Sequence, residues 1–247
     1  MVNRTIRKLA TSAVLVGSGV VVALALSVIL PAGCRAGQGL QLTPPWEVGE
    51  VSRLEVRRAG ILLLRWELRV EEKDSQVVLV SEQKTEGYRE YSAVFVDPET
   101  LVPSTTEFEL ETAQGRVAYT AAYADKDVVI KAQTPGGPQE VKVKLPSRPY
   151  FDNEEFIMVL RALPLAEGFK ATLNDIVTRT ASKAAITVQV VRRENVTVPA
   201  GTYDAWAVEL KGTSQFAWIS ASAPHELVKY ENKQAGTVSE LVEYRRR

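Results

Sequence analysis

From Leu64 to Val70 the chain reads Leu-Arg-Trp-Glu-Leu-Arg-Val, an unbroken alternation of apolar and charged residues. Successive side chains on a strand point to opposite faces, so this segment puts Leu64, Trp66, Leu68 and Val70 on one side and its charges on the other. A helix would scatter the same residues around its circumference. Phe108 and Leu110 alternate in the same way with Glu107, Glu109 and Glu111, and Val141, Val143 and Leu145 with Lys142 and Lys144. A sheet with one wet face is typically antiparallel, because parallel sheets are covered on both sides.

Comparable runs occupy 88–96, 116–124, 128–133, 184–191, 204–210, 215–220, 226–230 and 237–244, with a further strand in the Ser75–Val80 stretch. Asp97-Pro98, Thr134-Pro135-Gly136-Gly137-Pro138 and Pro199-Ala200-Gly201 mark turns between them. One segment breaks the period. In Asp152–Leu163, Phe156, Val159, Leu160 and Leu163 share a helical face, Asp152 and Glu155 have the spacing of a capping box, and Pro164 stops the helix. The expected fold is all-β and mainly antiparallel with one amphipathic helix, 153–163, against a curved sheet that forms an open or partly closed barrel or cradle.

The N-terminus is of another kind. Arg4, Arg7 and Lys8 precede 22 residues without a charge, Leu9 to Leu30, and a positive flank before an apolar run is the export pattern. The run ends in Leu30-Pro31-Ala32-Gly33-Cys34, which resembles the lipobox of bacterial lipoproteins, where the cysteine takes a lipid and becomes the mature N-terminus. Ala32, Gly33 and Cys34 match; Pro31 stands where the motif has a branched apolar residue. Lipidation of Cys34 is the first expectation, with an uncleaved transmembrane helix and simple cleavage as alternatives, since the run is long for a signal peptide. The first two place the remainder on the outer side of the cytoplasmic membrane. The organisation expected is residues 1–33 as signal or membrane segment, 34–47 as a polar, proline-broken tether, and 48–247 as a single β-rich extracytoplasmic domain.

Charge limits the partners. Three of the 30 basic residues lie in the export segment, leaving 27 against 30 acids, which argues against nucleic acid as a ligand. Cys34 is the only cysteine, so the domain has neither an internal disulfide nor a cysteine metal site.

Each candidate for chemistry has a simpler structural explanation. His225, the only histidine, precedes a strand and reads as a turn residue. Ser81-Glu82-Gln83-Lys84 has the Ser-x-x-Lys spacing of penicillin-recognising enzymes but sits on a strand without the companion boxes. Asp125-Lys126-Asp127 lacks the further oxygen donors of a calcium loop and reads as a hairpin turn. Asp152, Glu154 and Glu155 read as acids favoured by a helix N-terminus. Asn195-Val196-Thr197 has glycosylation spacing without the host for it. No catalytic residue, metal or cofactor is assigned. Aromatic residues remain: Trp66, Trp206, Phe216 and Trp218, with Phe156 and Leu160 of the helix, either fill the core or line an apolar cavity inside the curved sheet.

Three stretches carry a resemblance: Phe151-Asp152 through Arg161-Ala162-Leu163-Pro164-Leu165; Val198-Pro199-Ala200-Gly201-Thr202-Tyr203 with Ala205-Trp206; and Ala217-Trp218-Ile219-Ser220 leading into Leu227-Val228-Lys229-Tyr230. Over roughly residues 50–245 the chain resembles the bacterial envelope family catalogued as domain of unknown function 3108. Ser220-Ala221-Ser222-Ala223-Pro224 keeps that family's proline after the tryptophan strand but lacks the acid often found there. The family brings no catalytic residues, and its resemblance implies an open barrel-and-helix cradle like that of lipoprotein carriers. The expectation is a membrane-tethered, non-enzymatic envelope protein binding a lipid or envelope polymer in the cradle. The alternatives are a structural or protein-interaction module with a filled core and, third, a hydrolase.

Overall fold

The computed structural model describes residues 40–246. Its first meander comprises β1 (Val51–Arg58), β2 (Ile61–Lys73), β3 (Gln76–Thr85), β4 (Tyr88–Val96), β5 (Pro103–Thr112), β6 (Gly115–Tyr123), β7 (Asp127–Thr134) and β8 (Gly137–Lys144). A crossing segment follows, made of β9 (Tyr150–Asp152) and α1 (Phe156–Ala162). The second meander is β10 (Lys170–Val177), a 3-10 turn (Thr178–Thr180), β11 (Ser182–Val198), β12 (Gly201–Lys211), β13 (Gln215–Ser220), β14 (Leu227–Asn232) and β15 (Thr237–Arg245).

All the strands join one sheet in the order β8-β7-β6-β5-β4-β3-β2-β1-β15-β14-β13-β12-β11-β10-β9. Pairing of β1 with β15 welds the two meanders, and each ladder is antiparallel except β9 with β10. The two edges, β8 and β9, are consecutive in sequence and do not pair, so the sheet curls without closing. This is the all-β, open-barrel architecture, with one α-helix among the described residues, that the alternation implies.

Opposed residues in an antiparallel ladder share a face. Leu54 faces Trp66, Val56 faces Leu64, and Tyr230 faces Ala217, while the Trp66 and Tyr230 rings meet edge-on at 6.0 Å; these residues mark the inner face. The β1–β2 hairpin turns on Ala59 and Gly60, with φ of 49° and 81°. Two left-handed residues match the twist of a tight hairpin, and glycine takes one of them without strain.

The helix is shorter at its start than the expected 153–163. Residue 152 is held in β9 by its pairing with Ile176, and its carboxyl is engaged elsewhere, so residues 153–155 form a turn and α1 begins at Phe156. Only half of the capping box forms: the Asp152 amide donates to Glu155 Oε1 at 2.8 Å, but Asp152 Oδ1 accepts from the Glu154 amide at 2.9 Å, the Glu155 amide donates to the Asp152 carbonyl, and the helix has no side-chain cap. At the other end Leu163 is extended, as the residue before a proline prefers. All of α1 is buried, Arg161 on its polar side included, because chain covers that side too.

The covering chain begins within the stretch read as a tether. Leu40, Leu42 and Trp46 pack on the main core, and the Thr43 amide donates to the Ala162 carbonyl at 2.9 Å. The last carbonyls of a helix have no partner within it, and this strap supplies a donor to one of them. The lipobox, Cys34 and the rest of residues 1–39 lie outside the described residues.

Candidate functional site: a buried carboxyl seam

Because the sheet does not close through its backbone, side chains close it. Asp152, at the end of edge strand β9, reaches the inner face of the opposite wall: its Oδ2 accepts from the Thr106 hydroxyl of β5 at 2.6 Å and from the Tyr123 hydroxyl of β6. Its Oδ1 accepts from the Thr178 hydroxyl at 3.3 Å. Asn153 then reaches to β10, donating from Nδ2 to Asp175 Oδ2 at 3.0 Å. Asp152, Glu155 and Asp175 are 0, 1 and 0% exposed.

Arg179, on the 3-10 turn, locks the same seam. It donates to Glu90 of β4 at 2.6 and 3.0 Å and to Glu154 at 2.6 and 3.0 Å, with its guanidinium 4.3 Å from the centre of the Phe108 ring. The planar fork of arginine satisfies two carboxylates at once while stacking on an aromatic face. Tyr88 adds a hydroxyl donor to Glu90 at 2.9 Å, and Tyr119 bonds to Glu154 and Thr178.

Burial governs the protonation of this cluster. It lifts the Asp152 carboxyl to about 6, with the neighbouring Glu154 charge adding to the rise against several donated hydrogen bonds. Burial likewise puts Glu155 and Asp175 well above the usual carboxylate range, helped by the Asp152 charge. Burial also opposes ionisation of Glu90, but the Arg179 charge and its hydrogen bonds outweigh that and hold the carboxyl below its ordinary value. Burial and nearby carboxylates push the phenols of Tyr119 and Tyr123 well up, so both serve as neutral donors.

Beside the seam lies a cleft of about 30 Å³ lined by Trp66, Ser81, Gln83, Glu90, Met158 and Arg179, among others. A water needs roughly 10–15 Å³ counted this way, so the space suits about two. The Trp66 indole donates to the Ser81 hydroxyl at 2.8 Å, and Gln83 Oε1 is buried there without a protein partner. A shallow groove of about 310 Å³ also runs over the outside, along Arg116, Ala118, Gln133, Thr134 and Pro135.

The residues expected to line a cavity go to different places. Trp66 borders the cleft. Phe156 and Leu160 are buried in the main core. Phe216 and Trp218 alternate with inward Ala217 and Ile219, and so lie on the outer face. There Lys233 sits 4.2 Å over Phe216, Lys229 sits 4.8 Å over Trp218, and the Trp218 indole donates to Glu194 at 2.7 Å. Trp206 is half-buried with the Arg193 guanidinium 5.1 Å over its ring. Alternation separates two faces but does not say which is inner.

The other singled-out residues are structural. His225 turns the chain at φ 55°, with Nδ1 2.9 Å from the Ser220 carbonyl oxygen. Ser81 and Lys84 point to opposite faces of β3. Asp125 and Lys126 lie in the β6–β7 turn, and Asp127, the first residue of β7, pairs with Lys142 of β8 at 3.0 Å. Among the described residues no three His, Cys, Asp or Glu side chains are arranged to hold a metal. Sequence reasoning missed Glu90, Asp175 and Arg179. Glu90 had a signal, since parity places it on the same face of β4 as Ser92 and Val94, an acid where an apolar residue is normal.

A family model for proteins of unknown function, DUF3108, matches residues 50–238. The chain belongs to this family. The DUF3108 match takes in the seam and every strand through β14, and ends at the start of β15. No curated protein matches the chain. Among solved structures, a β-barrel-like protein of domain of unknown function DUF1849 from Brucella abortus is 13% identical, covering 83% of this chain and 98% of that one, with a TM-score of 0.49. A Bacteroides fragilis protein described as exported, with a YmcC-like fold, is 14% identical, covering 84% of this chain and 100% of the other, with a TM-score of 0.31.

Proposed function

We propose that this DUF3108 chain is a non-enzymatic envelope protein, tethered to the outer side of the cytoplasmic membrane through its N-terminus, that works as a rigid interaction module with a filled interior. The observation that carries this reading is the size of the inner cleft. Sites for small molecules commonly enclose about 300–1,000 Å³, whereas the cleft offers about 30 Å³. Helix α1, β9 and the Arg179 network occupy the space that an acyl chain or a polymer unit would need. Two further points support the non-enzymatic part. The three carboxyls of the seam offer essentially no surface to a substrate. His225 holds a backbone carbonyl outside the cleft lining.

A second reading, a ligand held in the cradle, draws on one feature: the unpartnered Gln83 carbonyl beside Trp66 in the cleft. Native mass spectrometry of protein extracted gently from membranes separates the two. The filled-module reading expects the covalent mass alone. A stoichiometric non-covalent lipid or saccharide would overturn it in favour of the cradle. For the non-enzymatic part, His225→Ala is expected to leave any envelope phenotype intact.

A further inference from the structure

The three buried carboxyls of the seam are not equally provided for. Asp152 receives donors from Thr106, Tyr123, Thr178 and the Glu154 amide, enough to support an anion. Glu155 receives one, the Asp152 amide on Oε1, and Asp175 receives one, Asn153 Nδ2 on Oδ2. Glu155 Oε2 and Asp175 Oδ1 are buried with no hydrogen-bond partner. An ionised carboxylate is acceptor-only, and a bare anionic oxygen out of water is among the most unfavourable arrangements a protein can hold.

No cation is left over to compensate them. Glu155 feels the charges of Asp152 and Asp175, and Asp175 those of Asp152 and Glu154, while Tyr123 of β6 lies near enough to feel Glu155. β5 offers the neutral Thr106, and the start of α1 offers Phe156 and Ile157. Arg179 is already shared between Glu90 and Glu154. The charges that act on the pair, Asp152 and Glu154 besides the two carboxyls themselves, are all negative.

We propose that the seam is a proton-dependent clasp: Glu155 and Asp175 are neutral acids in the closed structure, and loss of their protons releases β9 and the start of α1 from the β5–β6 wall. The geometry makes opening directional. Two new anions beside Asp152, Glu155 on the segment itself and Asp175 on the neighbouring β10 that Asn153 holds it to, repel one another and draw in water. The segment that moves carries Asn153 and Glu154, which line the Trp66 cleft, so opening enlarges that cleft. This inference stands whether or not the chain is membrane-tethered.

The sign follows from the carboxyls being held protonated by the fold. A group whose folded pKa is raised favours the closed form at low pH, and that advantage is lost as pH rises through the folded value. Hydrogen exchange of the amides over residues 150–158, corrected for intrinsic rates, reads the opening directly. As the pH is raised from neutral, above the titration of Asp152, through the alkaline range in which the protein stays folded, exchange is expected to accelerate at least about tenfold in the wild type. In the isosteric Glu155→Gln/Asp175→Asn variant the acceleration is expected to disappear. Wild-type exchange that stays flat would overturn the clasp, as would a folded double variant that keeps the full acceleration. Should the double variant fail to fold, difference infrared spectra of the wild type give the answer: a protonated-carboxyl band at neutral pH that vanishes at alkaline pH supports the clasp, and its absence at neutral pH refutes it.

Discussion

Arg161 and Glu50 form an ion pair of 2.6 Å whose side chains are 0 and 2% exposed, and this pair joins the interior helix to the chain that enters the domain. The same guanidinium donates to the carbonyls of His225 at 2.8 Å and Pro224 at 3.0 Å and lies 5.5 Å from the centre of the Trp46 ring. Glu50 takes a second donor, the Tyr244 hydroxyl, at 2.8 Å. Four segments distant in sequence therefore meet at this ion pair. Removing one partner strands a buried charge, so Arg161→Met or Glu50→Leu is expected to cost about 3–5 kcal/mol. The paired variant Arg161→Met/Glu50→Leu should recover part of that loss. Urea unfolding midpoints of the three variants check it, and a double variant that loses the sum of the two single losses would contradict the coupling.

Arg179 does comparable work at the seam with some solvent access, its side chain being 22% exposed. Arg179→Lys replaces a two-carboxylate fork by a point charge and is expected to cost about 2 kcal/mol, the scale of one or two charged hydrogen bonds. Arg179→Met should also reverse a pH trend. In the wild type the depressed Glu90 carboxyl contributes stability that is present above the ordinary carboxylate value and lost as pH falls. Without Arg179 burial dominates, and acidification from about pH 7 to about pH 5 should stabilise the variant instead.

For Asp152 the sign is opposite. Its carboxyl titrates near 6 in the fold against an ordinary 3.8, so its protonated form favours folding at low pH and that contribution fades as pH rises through 6. A difference of about two units corresponds to about 3 kcal/mol. Asp152→Asn lacks this titration. Relative to the wild type it should gain stability by up to about 3 kcal/mol between about pH 4 and about pH 7. Comparing the variant with the wild type removes the contribution of the surface acids. A difference that does not change with pH would show that Asp152 does not titrate in the fold.

Much of this architecture is written in local sequence. The runs at 88–96 and 215–220 match β4 and β13 to the residue, because apolar alternation and flanking turn residues act within a strand's own length. Lys170–Val177 was not read as a strand, and β11 runs on to Val198 beyond the expected 191. In the first, Asn174 and Asp175 interrupt the apolar pattern, since Asp175 points into the seam. In the second, a bulge between Val190 and Arg192 shifts the alternation halfway along. The seam itself was hidden for a non-local reason. Glu90, Asp152 and Arg179 are brought together by the curl of the whole sheet, and the acids before α1 satisfy a helix-start pattern whether or not they are buried.

The strap sets where an anchor would hold the domain. Leu40 packs on the core and Trp46 under Arg161, so only residues 35–39 separate Cys34 from docked chain. Six extended steps reach about 20 Å. Lipid on Cys34 would therefore keep the strap end close to the bilayer. Intact-mass analysis of membrane-extracted protein is expected to show a chain beginning at a diacylglycerol-modified Cys34. Cys34→Ala should block that modification. An intact Met1 in the wild type would instead mean that the 22-residue apolar run stays in the membrane as a helix, and then Cys34→Ala would change neither mass, beyond the substitution itself, nor location.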